Sequence, residues 1–157
     1  IADPTLFGTT TVATTSTLRQ TYVVKLATST GTFEPDEVIT QATTGASGRV
    51  VEWDSDLSLL YYQQEYFKGY GTDATTGGKA SFSGANLITG GTSSANGTPS
   101  TETESVTLAS GSTLTLTTGY ANPELAPYSG NMIYLENRKP IQRASDQTED
   151  IKIIIEF

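Results

Sequence analysis

The chain has 157 residues and contains neither cysteine nor histidine. Without cysteine there is no disulfide framework and no thiolate chemistry, and the redox compartment stays open. Without histidine the usual general base at neutral pH is missing, together with the commonest side-chain ligand for zinc or iron. Basic residues are scarce too. Nine Lys and Arg stand against 17 Asp and Glu, for a formal net charge of −8, and none lies between Lys79 and Arg138. No continuous basic surface can therefore neutralise phosphates, which argues against nucleic acid as a partner and against docking on an anionic membrane. No apolar run approaches the roughly 20 residues that a spanning helix needs, so a soluble chain is expected. Ile1 stands in place of Met, and Ile1 to Gly8 lacks the basic and apolar regions of a signal peptide. The expectation is a chain that begins mid-protein.

What the sequence has in plenty is threonine, 28 times, with serine and glycine 15 times each. β-Branched Thr favours strands and Gly relieves turns, so an all-β chain with few or no long helices is expected. With 36% hydrophobic residues it is globular but loop-rich.

Period-2 alternation marks the strands. Tyr22, Val24 and Leu26 alternate with Thr21, Val23 and Lys25. Val106 and Leu108, then Leu114 and Leu116, alternate with small polar residues around Ala109-Ser110-Gly111-Ser112, which predicts a hairpin at a meander edge. Arg49 to Asp54 and Asp56 to Tyr62 read as two strands turning at Asp54-Ser55-Asp56. Ile151, Ile153, Ile155 and Phe157 alternate with Lys152 and Glu156 as a terminal strand does. Thr72 to Lys79 and Gly90 to Thr103 read as loops, with Pro99 barring a ladder. Asn122-Pro123-Glu124-Leu125 reads as one helical turn, ended by Pro127.

An internal repeat stands out at an offset of 49 residues: FEPDEVITQATTGASG from Phe33 to Gly48 and FSGANLITGGTSSANG from Phe82 to Gly97. Phe33 matches Phe82, Ile39 matches Ile88, Ala46 matches Ala95 and Gly48 matches Gly97. Each copy is an aromatic, an apolar strand and a turn of small residues, which suggests a barrel or sandwich whose halves share one device. Residues 33–100 therefore read as an inserted β module.

Few side-chain groupings suggest chemistry. Asp54 and Asp56 could offer carboxylates to calcium, but no distal Glu follows at the calcium-loop spacing, and a plain turn is the simpler reading. Trp53, Tyr61, Tyr62, Tyr66, Phe67 and Tyr70 could be a stacking platform for sugars, the basis of an alternative function as a carbohydrate-binding host-attachment module; core and interface is the usual role of such groups. Glu34, Asp36 and Glu37 could be an acid/base pair, yet within one turn they need not flank a substrate. The most concentrated polar segment is Glu136 to Arg143, followed by Asp146 to Asp150. It is either a solvated loop with weak ion pairs or an interface in which Arg138 and Arg143 make bidentate contacts to a neighbour.

Ser129-Gly130-Asn131-Met132-Ile133-Tyr134-Leu135-Glu136-Asn137-Arg138, then Pro140-Ile141, then Asp146-Gln147-Thr148-Glu149-Asp150-Ile151, closely resembles the C-terminus of the T-even-type myophage baseplate wedge proteins of the gene product eight family. Arg19-Gln20 leading into the Tyr22 strand and Asn122-Pro123-Glu124-Leu125 resemble parts of the same family. The segment from about Thr32 to Thr118 departs from the T-even pattern and is similar to β modules of cyanophage structural proteins. The resemblance implies a homodimer of Greek-key β-sandwich domains that joins other baseplate wedge proteins, located in the virion tail baseplate and assembled in the host cytoplasm. It carries over no catalytic, cofactor-binding or metal residue. The combined expectation is an all-β chain: an antiparallel Greek-key β-sandwich from residues 1–32 and 101–157, with a small β-barrel module at 33–100. Its interface residues are expected to be Asn137, Arg138, Pro140, Ile141, Arg143, Asp146 and Gln147, and no enzyme activity is expected.

Overall fold

A computed structural model describes residues 2–14, 18–64, 80–127 and 129–133. Among these residues the structure is all-β, without a helix. Nine strands follow in order: β1 Tyr22–Thr30, β2 Val38–Gln41, β3 Ala46–Asp54, β4 Leu59–Gln63, β5 Ile88–Gly90, β6 Asn96–Pro99, β7 Glu104–Thr107, β8 Thr113–Leu116 and β9 Tyr120–Ala121.

The antiparallel pairings run β4-β3-β2-β5-β6-β1, and β1 also pairs with β4, so these strands close into a hydrogen-bonded ring. β1 manages this by changing partner along its length. One edge of its first half, Tyr22 to Lys25, meets β4, while its second half, Leu26 to Thr30, meets β6 across a register shift between Leu26 and Thr28. A closed ring leaves no edge strand within it. β9 extends β1 outside the ring, pairing Ala121 with Val23 and Tyr120 with Val24.

The sequence repeat is a pair of hairpins, β2–β3 and β5–β6. Phe33, Ile39 and Ala46 of the first copy are buried, as are Phe82, Ile88 and Ala95 of the second. The two copies meet at the β2–β5 ladder, where Thr40 pairs with its own repeat mate Thr89. The relation extends beyond the repeat. Val50 of β3 pairs with Tyr62 of β4, and its mate Pro99 of β6 pairs with Leu26 of β1. β1 thus does for the second hairpin what β4 does for the first, and the ring has an approximate twofold arrangement. Gly48 and Gly97 show why glycine recurs there. A Cβ on Gly48 would lie 2.8 Å from the Gln63 carbonyl oxygen and 3.1 Å from Tyr62, and one on Gly97 would lie 2.9 Å from the Thr28 carbonyl oxygen and 2.5 Å from Leu26.

Two cores result. Inside the ring, Val24, Leu26, Leu60 and Tyr62 pack with the repeat residues, and Tyr22 stacks on Tyr62 at 5.5 Å. Outside it, the opposite faces of β1 and β4 offer Val23 and Leu59, which the β7–β8 hairpin covers with Leu114 and Leu116. Lys25 ties this hairpin to β1 through a 2.8 Å ion pair with Glu104. The N-terminal segment runs along residues 124–127 and 129–131: Ala2 and Asn131 exchange backbone hydrogen bonds of 2.9 and 2.7 Å, and Phe7 N–H donates to the Glu124 carbonyl at 2.9 Å.

Two local expectations are corrected. Gly90 to Thr103 is not a loop, because β6 lies within it; Pro99 occupies the last strand position, where the following N–H, that of Ser100, bonds the Lys25 carbonyl at 2.8 Å. Asn122 to Leu125 is not a helical turn, because the N–H groups of Glu124 and Leu125 both donate to the Arg19 carbonyl. The predicted hairpins at residues 49–62 and 105–117 are present.

Candidate functional site

The expected interface residues Asn137, Arg138, Pro140, Ile141, Arg143, Asp146 and Gln147 lie outside the described residues, as do Tyr66, Phe67, Tyr70, the Thr72 to Lys79 loop and the terminal strand.

The described aromatics do not share one platform. Tyr62 is 2% exposed inside the ring, Trp53 packs edge-on against Phe33 at 5.5 Å, and Tyr61 turns to the outer core. Asp54 Oδ1 accepts the N–H groups of Asp56 and Leu57, both at 3.0 Å, so its role is to hold the β3–β4 turn.

The acidic triplet separates in the same way. Glu34 and Asp36 are exposed, whereas Glu37, just before β2, is buried and reaches the turn of the neighbouring β5–β6 hairpin. Its Oε1 accepts from Glu34 N–H at 2.8 Å and Ser93 Oγ–H at 2.7 Å, and its Oε2 from Thr92 and Ser93 N–H at 3.0 and 2.9 Å. Burial alone raises the pKa of this carboxyl, but the hydrogen bonds from Ser93, Glu34 and Thr92 outweigh it and the pKa falls below its ordinary value. Gly90 makes room: a Cβ there would lie 2.7 Å from both carboxylate oxygens. At the repeat position of Gly90 stands Gln41, fully buried. Its Nε2 donates to the Asn86 carbonyl at 2.9 Å and its Oε1 accepts from Ser83 N–H at 2.9 Å. Both polar groups are saturated by protein and are structural.

An open cleft lies between β8 and β9. Thr113, Leu114, Thr115 and Thr117 form one wall, and Arg19, Asn122 and Glu124 belong to the other. Arg19 holds that wall in place. Its Nη1 donates to the Thr21 carbonyl and its Nη2 to the Asn122 carbonyl at 2.6 Å, while its backbone N–H donates to Glu124 Oε2 at 2.8 Å. Burial pulls the guanidinium pKa below its usual value, against the raising influence of Glu124 and Tyr61. Sequence reasoning placed Arg19 and Asn122 to Leu125 in one family pattern without joining them; the fold brings them into contact. The available signal was an isolated cation ahead of a strand and an acid in a distant turn, which fixes no pairing.

Comparison with known proteins places this side of the molecule. The family described as Bacteriophage T4, Gp8 matches residues 102–157. The baseplate wedge protein gp8 of Enterobacteria phage T4 is 56% identical over 39 residues, covering 24% of this chain and 12% of that protein. This chain therefore spans only a small part of the length of that relative. No solved structure matches the chain. The resemblance of the terminal residues is thus matched by the family comparison, which covers residues 102–157.

Proposed function

We propose that this chain is a structural subunit of a contractile phage tail baseplate and acts by binding other wedge proteins, without catalysis. The observation that carries this reading is the gp8-type match, which begins at residue 102, just beyond the last ring strand. The chain's contribution is then a scaffold. The ring is closed, its buried Glu37 and Gln41 are hydrogen-bonded by protein groups, the hairpin caps the outer core, and the N-terminal segment clasps residues 124–127 and 129–131. The two-part organisation, residues 1–32 with 101–157 and residues 33–100, is part of the proposal; β1 serves both, pairing with β9 through Val23 and Val24 and with β6 from Leu26 onward.

Assembly contacts are assigned to Asn137, Arg138, Pro140, Ile141, Arg143, Asp146 and Gln147. A guanidinium can satisfy several acceptors on a neighbour at a smaller ordering cost than lysine. The finer features are a homodimer, location in the virion baseplate and assembly in the host cytoplasm. The test is to label the chain in purified virions and locate it by immunogold electron microscopy. Label at the baseplate, and loss of baseplates from particles lacking the gene, are the expected results. Complete baseplates assembled without the chain would overturn the reading.

A further inference from the structure

We infer that the outer edge of β8, with the cleft beside it, is a docking site for an extended, uncharged segment of a second polypeptide, which adds to β8 as a further strand. The register shows which groups are free. Leu108 N–H donates to the Ser112 carbonyl at 2.9 Å, so the pairs Val106–Leu114 and Glu104–Leu116 are those that exchange hydrogen bonds within the hairpin. Thr113 and Thr115 then direct their N–H and C=O groups away from β7 and toward the cleft, where among the described residues they meet no partner. On the same edge Thr117 N–H does find one, the Tyr120 carbonyl at 2.8 Å, so β8 and β9 touch at Thr117 and splay apart toward Thr113.

Natural edge strands are guarded by charge, proline or a bulge. β8 has none of these: from Ser105 to Pro123 the chain carries no charged residue, no proline lies within the strand, and the β7–β8 register has no shift.

The same composition specifies the occupant. The β8 wall is uncharged, and of the two charged groups on the opposite wall the Arg19 guanidinium is engaged by two backbone carbonyls and Glu124 Oε2 accepts the Arg19 N–H, so a charged side chain entering there would lose water with little gained in return. Backbone groups supply the binding and small or β-branched side chains fit the Thr-lined wall, the usual division of labour in strand addition. A second copy of this chain is the competing occupant, and the test below separates it from a different polypeptide. That the partner is another baseplate subunit rests on the function proposed above; the open edge does not.

The test uses the full chain, isotope-labelled, with the synthetic peptide acetyl-Thr-Val-Thr-Val-Thr-amide as probe. Amide exchange at Thr113 and Thr115 is expected to slow by about tenfold or more on saturation with peptide, with Ser105 and Thr107 on the β7 edge unchanged. A fully N-methylated peptide, and one with Glu in place of both Val, should have no effect. Thr115→Pro removes an outward N–H and spares the hairpin ladder, so it should abolish the effect without a loss of melting temperature. Absence of slowing, equal slowing by the N-methylated peptide, or equal protection of the β7 edge would overturn the inference. So would concentration-dependent protection of Thr113 in the chain alone, which would assign the edge to a second copy. None of these outcomes bears on where the chain sits in the virion, so the two proposals fail separately.

Discussion

Replacing Glu37 by Gln keeps the shape of the side chain and removes one acceptor. The carboxylate is 5% exposed and receives four hydrogen bonds, from Glu34 N–H, Thr92 N–H, Ser93 N–H and Ser93 Oγ–H. The amide of Glu37→Gln fits best with its oxygen toward the Thr92 and Ser93 N–H groups and its NH₂ toward Ser93 Oγ, which can turn to accept. Glu34 N–H then faces a donor. An orphaned buried donor costs about 1–3 kcal/mol, and the surviving bonds lose their charge assistance, so the total is about 2–4 kcal/mol. For a chain of this size that corresponds to a fall in melting temperature of roughly 5–15 °C. The penalty should also depend on pH. The folded-state pKa of Glu37 lies below its unfolded value, so its contribution is fully present above the ordinary glutamate pKa and is lost as pH falls through the depressed folded value. Urea denaturation of both proteins at pH 7 and at stepwise lower pH should therefore show the two stabilities converging on acidification. A penalty below about 0.5 kcal/mol at pH 7, within the range of ordinary surface substitutions, or one that does not change with pH, would refute the reasoning.

Gly97→Ala should cost about 1–3 kcal/mol by denaturant titration, because Leu26 can rotate away from the new Cβ but the Thr28 carbonyl, 2.9 Å distant, belongs to the ladder. Gly45→Ala, with nothing within 4 Å but a φ of +71°, should cost only the left-handed strain of about 1–2 kcal/mol. Leu114→Ala should remove about 2–5 kcal/mol from the outer core, with hydrogen exchange accelerating in β7 and β8 while Ile39 and Ile88 stay protected in the ring. Lys25→Met should shift stability by no more than about 1 kcal/mol in thermal melts, because both partners of its ion pair are partly solvated.

Local pattern carried the strands well. The alternation in Tyr22 to Leu26 and in Ser105 to Thr117 survives as β1 and the β7–β8 hairpin, and the 49-residue repeat proves to be two hairpins with matching buried positions. Alternation did not reveal that Val23 is as buried as Val24, because period-2 reasoning assumes that one face meets water, and β1 has a core on each side. Proline and capping signals misled for a related reason. Pro99 keeps its strand because the ladder draws on the next N–H, and Pro123 does not start a helix because Arg19, distant in sequence, supplies the acceptor that a helix would otherwise provide. Of the candidate groups, the turn role of Asp54 was legible from residue type. The burial of Glu37 was not, since it depends on a glycine at position 90 in the other copy of the repeat.

The twofold ring has a consequence for how such a chain tolerates additions. Its first strand, β1, and its last, β6, lie side by side, and Ser100 leaves the ring bonded to Lys25, close to where the chain entered at Tyr22. A module whose entrance and exit are neighbours can be spliced into a host loop, or cut out of it, without displacing the segments on either side. Most of the ring's hydrogen bonds close on themselves, so the strand edge such a cassette leaves its host to satisfy is short, the first half of β1, where Val23 and Val24 pair with β9.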